Sequence, residues 1–175
     1  MLILKAADFA ARKHRFQKRK DADASPYINH PIAVAMLLSD VGGVSDEDVI
    51  AAALLHDTIE DTDTTPEELD QEFGEKICKM VQEVTDDKKM KKAERKRHQV
   101  EHAKHLSAGA ALVKLADKTS NIQDVAHNPP EGWSVERRQE YLDWAEEVVN
   151  NIPQPHTAML QAFNDALAVG RKFIG

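Results

Sequence analysis

The chain has 175 residues, 42% of them apolar, and a net charge of −7. That length supports a real core, and the acidic balance argues against a generic nucleic-acid binder and against docking on anionic membranes. Cys78 is the only cysteine, which excludes a disulfide framework and a thiolate zinc site and fits a reducing compartment. No run approaches the ~20 apolar residues of a membrane span, and the N-terminal MLILKAADFAARKH is too short for a signal-peptide core. A cytoplasmic protein is expected. With 7 Gly, 7 Pro and hardly any alternating apolar/polar runs, the fold class is all-α.

In chain order, residues 2–19 read as a helix with Leu2, Ala6, Phe9, Ala10 and Phe16 inward. Asp21–Asn29 is a loop, and His30 precedes a helix over Ile32–Val41 that has Pro31 in its first turn. Gly42-Gly43 ends that helix, and Ser45 caps the next, with Glu47 and Asp48 in its first turn. Thr65-Pro66-Glu67-Glu68 is a cap opening a short helix to Phe73. Beyond Gly74, Lys76–Val84 carries a helical stripe of Ile77, Met80, Val81 and Val84. A basic run over 88–97 continues as helix to about Leu106. Residues 110–126 form another helix, HNPPEG over 127–132 a loop, and Ser134–Asn150 a helix with Tyr141, Trp144, Ala145 and Val148 inward. Pro153 and Pro155 interrupt before a last helix to about Phe173. There is no repeat and no linker, so residues 1–175 are expected to form a single helical-bundle domain.

Chemistry concentrates in Ala51–Thr65, AAALLHDTIEDTDTT. Its start has no polar face and belongs inside a protein, yet it runs straight into His56, Asp57, Glu60, Asp61 and Asp63. Burying carboxylates costs several kcal/mol unless a cation or hydrogen-bond donors compensate. Spacings of three and four place His56, Asp57, Glu60 and Asp61 on about one turn of surface. The alternative is a helix end running into a solvated acidic loop. Helix 110–126 adds Lys114, Asp117, Asn121 and Asp124 opposite its apolar stripe, a face that by itself reads as solvated.

Three ordered motifs change that balance: Tyr27-Ile28-Asn29-His30-Pro31, His56-Asp57-Thr58-Ile59-Glu60-Asp61-Thr62 and Lys114-Leu115-Ala116-Asp117-Lys118. Together they resemble the hydrolase domain of the RelA/SpoT homologues, a branch of the HD-domain metal phosphohydrolases, and most of all its metazoan SpoT-homologue type. The resemblance runs nearly end to end, through Ala6–Ala11, Val84–Lys88, Glu94–Arg97 and Glu131–Ser134. It implies metal ligands at His30, His56, Asp57 and Asp117 and a catalytic acidic pair at Glu60 and Asp61. Two imidazoles and two carboxylates make a sulfur-free site suited to Mn²⁺ among other divalent ions. Such an ion would acidify a water, with Glu60 placed to move its proton. The implied substrate is the nucleotide (p)ppGpp, cleaved at the 3′ position to GDP or GTP and pyrophosphate. Arg19 and Lys20 match the family's basic pair, Asn121 and Tyr141 fall where the family contacts the nucleotide, and Lys92, in the basic run, is a further candidate.

Thr119-Ser120 and Gln123 depart from the family pattern near the presumed base and sugar contacts, which bears on substrate preference. A related activity at the same site is removal of the 2′-phosphate of NADPH. A third reading, a non-catalytic nucleotide or nucleic-acid binder using Lys88–Arg97, fits poorly with an intact ligand set. His98, His102 and His105 share helical spacing but face outward among basic residues. His14 and His127 have no visible partner.

Overall fold

The computed structural model describes residues 1–153 and 155–175, and among them there is no strand, only an isolated bridge between Lys18 and Pro26. The helices are α1 (Leu2–Lys13), α2 (Asn29–Met36), α3 (Glu47–Leu55), α4 (Thr58–Asp61), α5 (Pro66–Phe73), α6 (Glu75–Val84), α7 (Lys92–Ala103), α8 (Ala108–His127), α9 (Val135–Asn150) and α10 (Thr157–Ile174). A π-helical turn, Leu37–Val41, extends α2. Among the described residues no helix is long and apolar enough to cross a membrane. The all-α expectation holds.

Two helices organise the packing. Every residue of α3 from Val49 to Leu55 is buried, and α3 packs against α1, α2, α6 and α8. Helix α8 lies against α10 along its length and also meets α2, α3, α6 and α9. The core is therefore built around the two helices that carry His56 and Asp117. Phe163 of α10 is 1% exposed within it. Phe163→Ala should lower unfolding stability by about 3–5 kcal/mol, because a cavity adds to the lost transfer energy. The midpoint of a urea transition at unchanged slope checks this.

Several boundaries differ from the sequence reading. Helix α1 stops at Lys13, not residue 19, and Phe16 is 83% exposed. Beyond Lys13 the chain turns to make the bridge with Pro26, and the Tyr27 backbone N–H donates to the Gln17 carbonyl. Helix α2 starts before Pro31, so His30 sits inside its first turn. The cap of α3 is Asp46, which accepts from the Asp48 N–H, rather than Ser45. Tyr141 and Trp144 are half-buried and pack against the core as read, and Tyr141 also lines the cleft described below. The Thr65 cap on Glu68 is as read. Gly74, at φ 84°, separates α5 from α6 in a conformation that L residues rarely adopt.

Candidate active site

The run from α3 into the acidic residues is broken, not continuous. Helix α3 ends at Leu55, Asp57 sits at φ −97°, ψ −1°, and α4 is a single turn, Thr58–Asp61. The freed carbonyls of α3 find local donors. The Thr58 hydroxyl donates to Leu55 O at 2.7 Å, and His56 Nδ1 donates to Ala53 O at 2.7 Å. A carbonyl only accepts, so this bond places a proton on Nδ1 and turns Nε2 inward, toward the site's carboxylates. His56 Nε2 is buried and has no hydrogen-bond partner.

Around it lie the other candidate ligands. His30 Nε2 is 3.1 Å from Asp117 Oδ1 and 3.8 Å from Asp57 Oδ2. His56 Nε2 is 3.1 Å from Asp57 Oδ2 and 3.7 Å from Asp117 Oδ1. Ligand atoms of His30, His56 and Asp117 all lie within 4.8 Å of one another, a grouping able to hold a metal ion. Asp57 stands beside this trio, and its Oδ2 accepts from the Tyr27 hydroxyl at 2.6 Å. The Ser120 hydroxyl lies 3.3 Å from His30 Nδ1, and Asn121 Nδ2 donates to Asp117 Oδ1 at 2.6 Å. Each side chain is thus steadied from behind, as in metal centres.

The electrostatics point the same way. Burial disfavours a charged His56, yet Asp57 and Asp117 outweigh it and push its pKa up to about 10. Burial likewise disfavours ionised Asp57 and Asp117, but His56, His30 and Lys118 hold both well below the usual carboxylate range. The pull that draws a proton to this pocket acts more strongly on a divalent cation. Nitrogen and oxygen donors without sulfur fit such an ion.

Glu60 differs from its neighbours. Burial, then the charges of Asp57, Asp86 and Asp61, push its pKa up to about 7, although the Asp86 N–H donates to its Oε2 at 3.0 Å. A carboxyl poised there is matched to proton transfer near neutral pH. The sign for stability follows from linkage. Without metal, the folded chain keeps a proton on Glu60 between its ordinary pKa of 4.5 and about 7, while the unfolded chain has lost it. Metal-free stability should therefore fall as pH rises through that window. Glu60→Gln should remove this loss, so that variant and parent differ above pH 7 and converge below 4.5; thermal melts of metal-free proteins check it.

The cage opens beside a cleft of about 440 Å³. Tyr27, Glu60 and Asn121 line both. Lys18, Arg19, Lys20, Lys88 and Arg95 bring positive charge to the cleft, and Trp133 and Tyr141 bring aromatic faces, their ring centroids 5.7 Å apart. Asp61 accepts from Gln17 Nε2 at 2.8 Å and from Lys88. Arg19 donates to Asn121 Oδ1 at 3.2 Å, pairs with Asp124, and lies over the Tyr27 ring.

Most candidate residues gather at this cage and cleft. Lys92 does not: it is exposed at the start of α7 and outside the cleft lining, where Lys88 and Arg95 stand instead. The face of Lys114, Asp117, Asn121 and Asp124 is not solvated, since Lys114 and Asp117 are each 8% exposed. Thr119, Ser120 and Gln123 fall outside the cleft lining: Thr119 bonds back to Leu115, Ser120 sits behind His30, and Gln123 is exposed. Sequence reasoning missed Tyr27, which its own motif contains, and Lys88 and Arg95 within the basic run. It had no signal for Gln17. His98 and His102 stack on each other outside the cage, and His105 is exposed.

Comparison with known proteins agrees. The HD-domain family pattern matches residues 6–144. The guanosine-3′,5′-bis(diphosphate) 3′-pyrophosphohydrolase MESH1 of Xenopus tropicalis is 57% identical over 151 residues, covering 86% of this chain and 84% of the relative. Its Homo sapiens counterpart is 57% identical over 150 residues with the same coverage. A solved structure of a metazoan SpoT orthologue described as hydrolysing ppGpp superposes with a TM-score of 0.92 at 43% identity, covering 95% of this chain and 94% of that one. The chain belongs to the HD-domain family and, within it, to the RelA/SpoT homologues of the metazoan SpoT type.

Proposed function

We propose that this chain, acting as one unit over residues 1–175, hydrolyses the 3′-diphosphate of (p)ppGpp to give GDP or GTP and pyrophosphate. The observation that carries this reading is the shared wall: Tyr27, Glu60 and Asn121 line both a cage of metal-type donors and a cationic, aromatic cleft of nucleotide size. The names of the relatives support the choice of substrate.

In this reading His30, His56, Asp57 and Asp117 hold one divalent cation, taken to be Mn²⁺, though the donor set also accepts Fe²⁺, Co²⁺ or Zn²⁺. When bound, it supplies Lewis-acid polarisation and acidifies water at the site. Glu60 removes the proton of the attacking water. The new bond joins water oxygen to phosphorus, the bond from phosphorus to the ribose 3′ oxygen breaks, and the proton ends on the leaving oxygen. Asp61, fixed by Gln17 and Lys88, orients groups at the same mouth. Arg19, Lys20, Lys88 and Arg95 offset phosphate charge, Asn121 meets the ribose end, and Tyr141 with Trp133 offers a face for the base.

The test is a product analysis: purified protein with Mn²⁺ and ppGpp should yield GDP and pyrophosphate in equal amounts, and release of orthophosphate instead would contradict the assignment. Lys88→Ala and Arg95→Ala should raise KM more than they lower kcat, because ground-state phosphates already meet these cations. Lys92→Ala should have the smaller effect. Steady-state kinetics on ppGpp for the three variants decides between cleft and surface charge.

A further inference from the structure

His14 is a buried titratable side chain beside the cleft that this mechanism leaves unused. It follows the last turn of α1, is 2% exposed, and is itself part of neither the cage nor the cleft lining. Its Nε2 is buried without a partner. An unpaired buried ring nitrogen is costly, and a position that needed only bulk is better served by Phe or Leu.

Its other nitrogen shows what the ring does. His14 Nδ1 lies 2.7 Å from Gln17 Oε1, and Gln17 Nε2 donates to Asp61 Oδ2 at 2.8 Å. The three groups fix one another. The Asp61 carboxylate only accepts, so the Gln17 amide must turn its NH₂ toward it. The amide oxygen then faces His14 and only accepts, so His14 must carry its proton on Nδ1. A reversed amide sets oxygen against carboxylate. The same ring stacks on Tyr27, centroids 4.8 Å apart, and the Tyr27 hydroxyl donates to Asp57.

We propose that His14 is a positioning residue for the reaction, holding Asp61 through Gln17. This rests on the hydrolase reading above. Asp61 is otherwise held by Lys88, an exposed side chain in the loop before α7. Gln17, anchored by the buried His14, therefore keeps the carboxylate aimed when Lys88 turns to a phosphate. Without it, Asp61 follows Lys88, and the carboxylate pair loses its relative placement.

Two substitutions separate the donor from the ring. His14→Phe keeps the stack on Tyr27 and the bulk but removes the Nδ1 proton; His14→Asn keeps an N–H donor near the Nδ1 position but loses the stack. We expect His14→Phe to lower kcat on ppGpp by ~10–100-fold, the usual effect of an outer residue on a metal site, with KM within about twofold and metal content unchanged. His14→Asn should recover most of that kcat, and His14→Phe should cost nothing further on a Gln17→Leu background, since both break one chain of contacts. A role in packing alone predicts the reverse order, Phe tolerated and Asn damaging. Parental kcat in His14→Phe, or multiplicative losses in the double variant, would overturn the proposal while the hydrolase reading stands. Parent protein inactive on ppGpp would overturn both.

Discussion

Glu60→Gln should lower kcat on ppGpp by ~10²–10⁴, the contribution of a positioned general acid–base group, while its metal content stays that of the parent. The carboxamide keeps the size of the side chain and an oxygen to accept the Asp86 N–H at 3.0 Å, but it cannot take a proton. The geometry makes the separation possible. Glu60 lines the cage and the cleft yet is not among the side chains whose donor atoms converge. The acid limb of the parent rate profile should carry an apparent pKa at or below about 7, where burial and the neighbouring carboxylates hold Glu60, since a cation beside it favours the ionised form. The variant should lack that limb. Loss of metal in Glu60→Gln would make Glu60 a ligand. Full activity would pass the proton transfer to another group, with Asp61 the nearest by position in α4.

The second large effect is at Asp117. Asp117→Asn should lose metal and activity together, because the charge that offsets a divalent cation disappears while volume is kept. Asp117→Ala should also unfold more easily. Lys118 Nζ lies 3.6 Å from Asp117 Oδ2 with its side chain 4% exposed, and removing one partner of a buried pair costs about 3–5 kcal/mol. Trp144 softens that loss, since its ring lies 4.2 Å from the Lys118 ammonium. Elemental analysis and melting curves on both variants separate ligand loss from unfolding. Retained metal in Asp117→Asn would remove Asp117 from the ligand set.

How far the sequence carried these conclusions differs from element to element. The burial of α3 was legible because AAALL has no polar face, and the cap at Thr65 follows local side-chain chemistry. The end of α1 was not legible. Residues 14–19 keep a helical pattern, and what stops the helix is long-range: Gln17 is drawn to Asp61 and Tyr27, Arg19 to Asp124. The face of Lys114 and Asp117 read as solvated because charge alone cannot reveal a buried acceptor; Lys114 Nζ donates to Val84 O at 2.9 Å. His56 and Asp57 were singled out correctly as neighbours, but the break between α3 and α4 was invisible, since no Gly or Pro marks it. His14 and Gln17 had no signal, because their meaning lies in one hydrogen bond to a residue 44 positions away.

The central claim is that a metal cage and a nucleotide cleft act as one hydrolytic site, and one measurement tests it directly. Protein stripped by chelation is titrated with Mn²⁺ while GDP and pyrophosphate released from ppGpp are followed alongside bound metal. Product formation should rise from background to a plateau at one ion per chain, and the melting temperature should rise with it, since binding at a hundredfold excess over Kd stabilises the fold by ~2.7 kcal/mol. Full activity in the stripped protein, or one bound ion per chain with ppGpp left intact, would contradict the account.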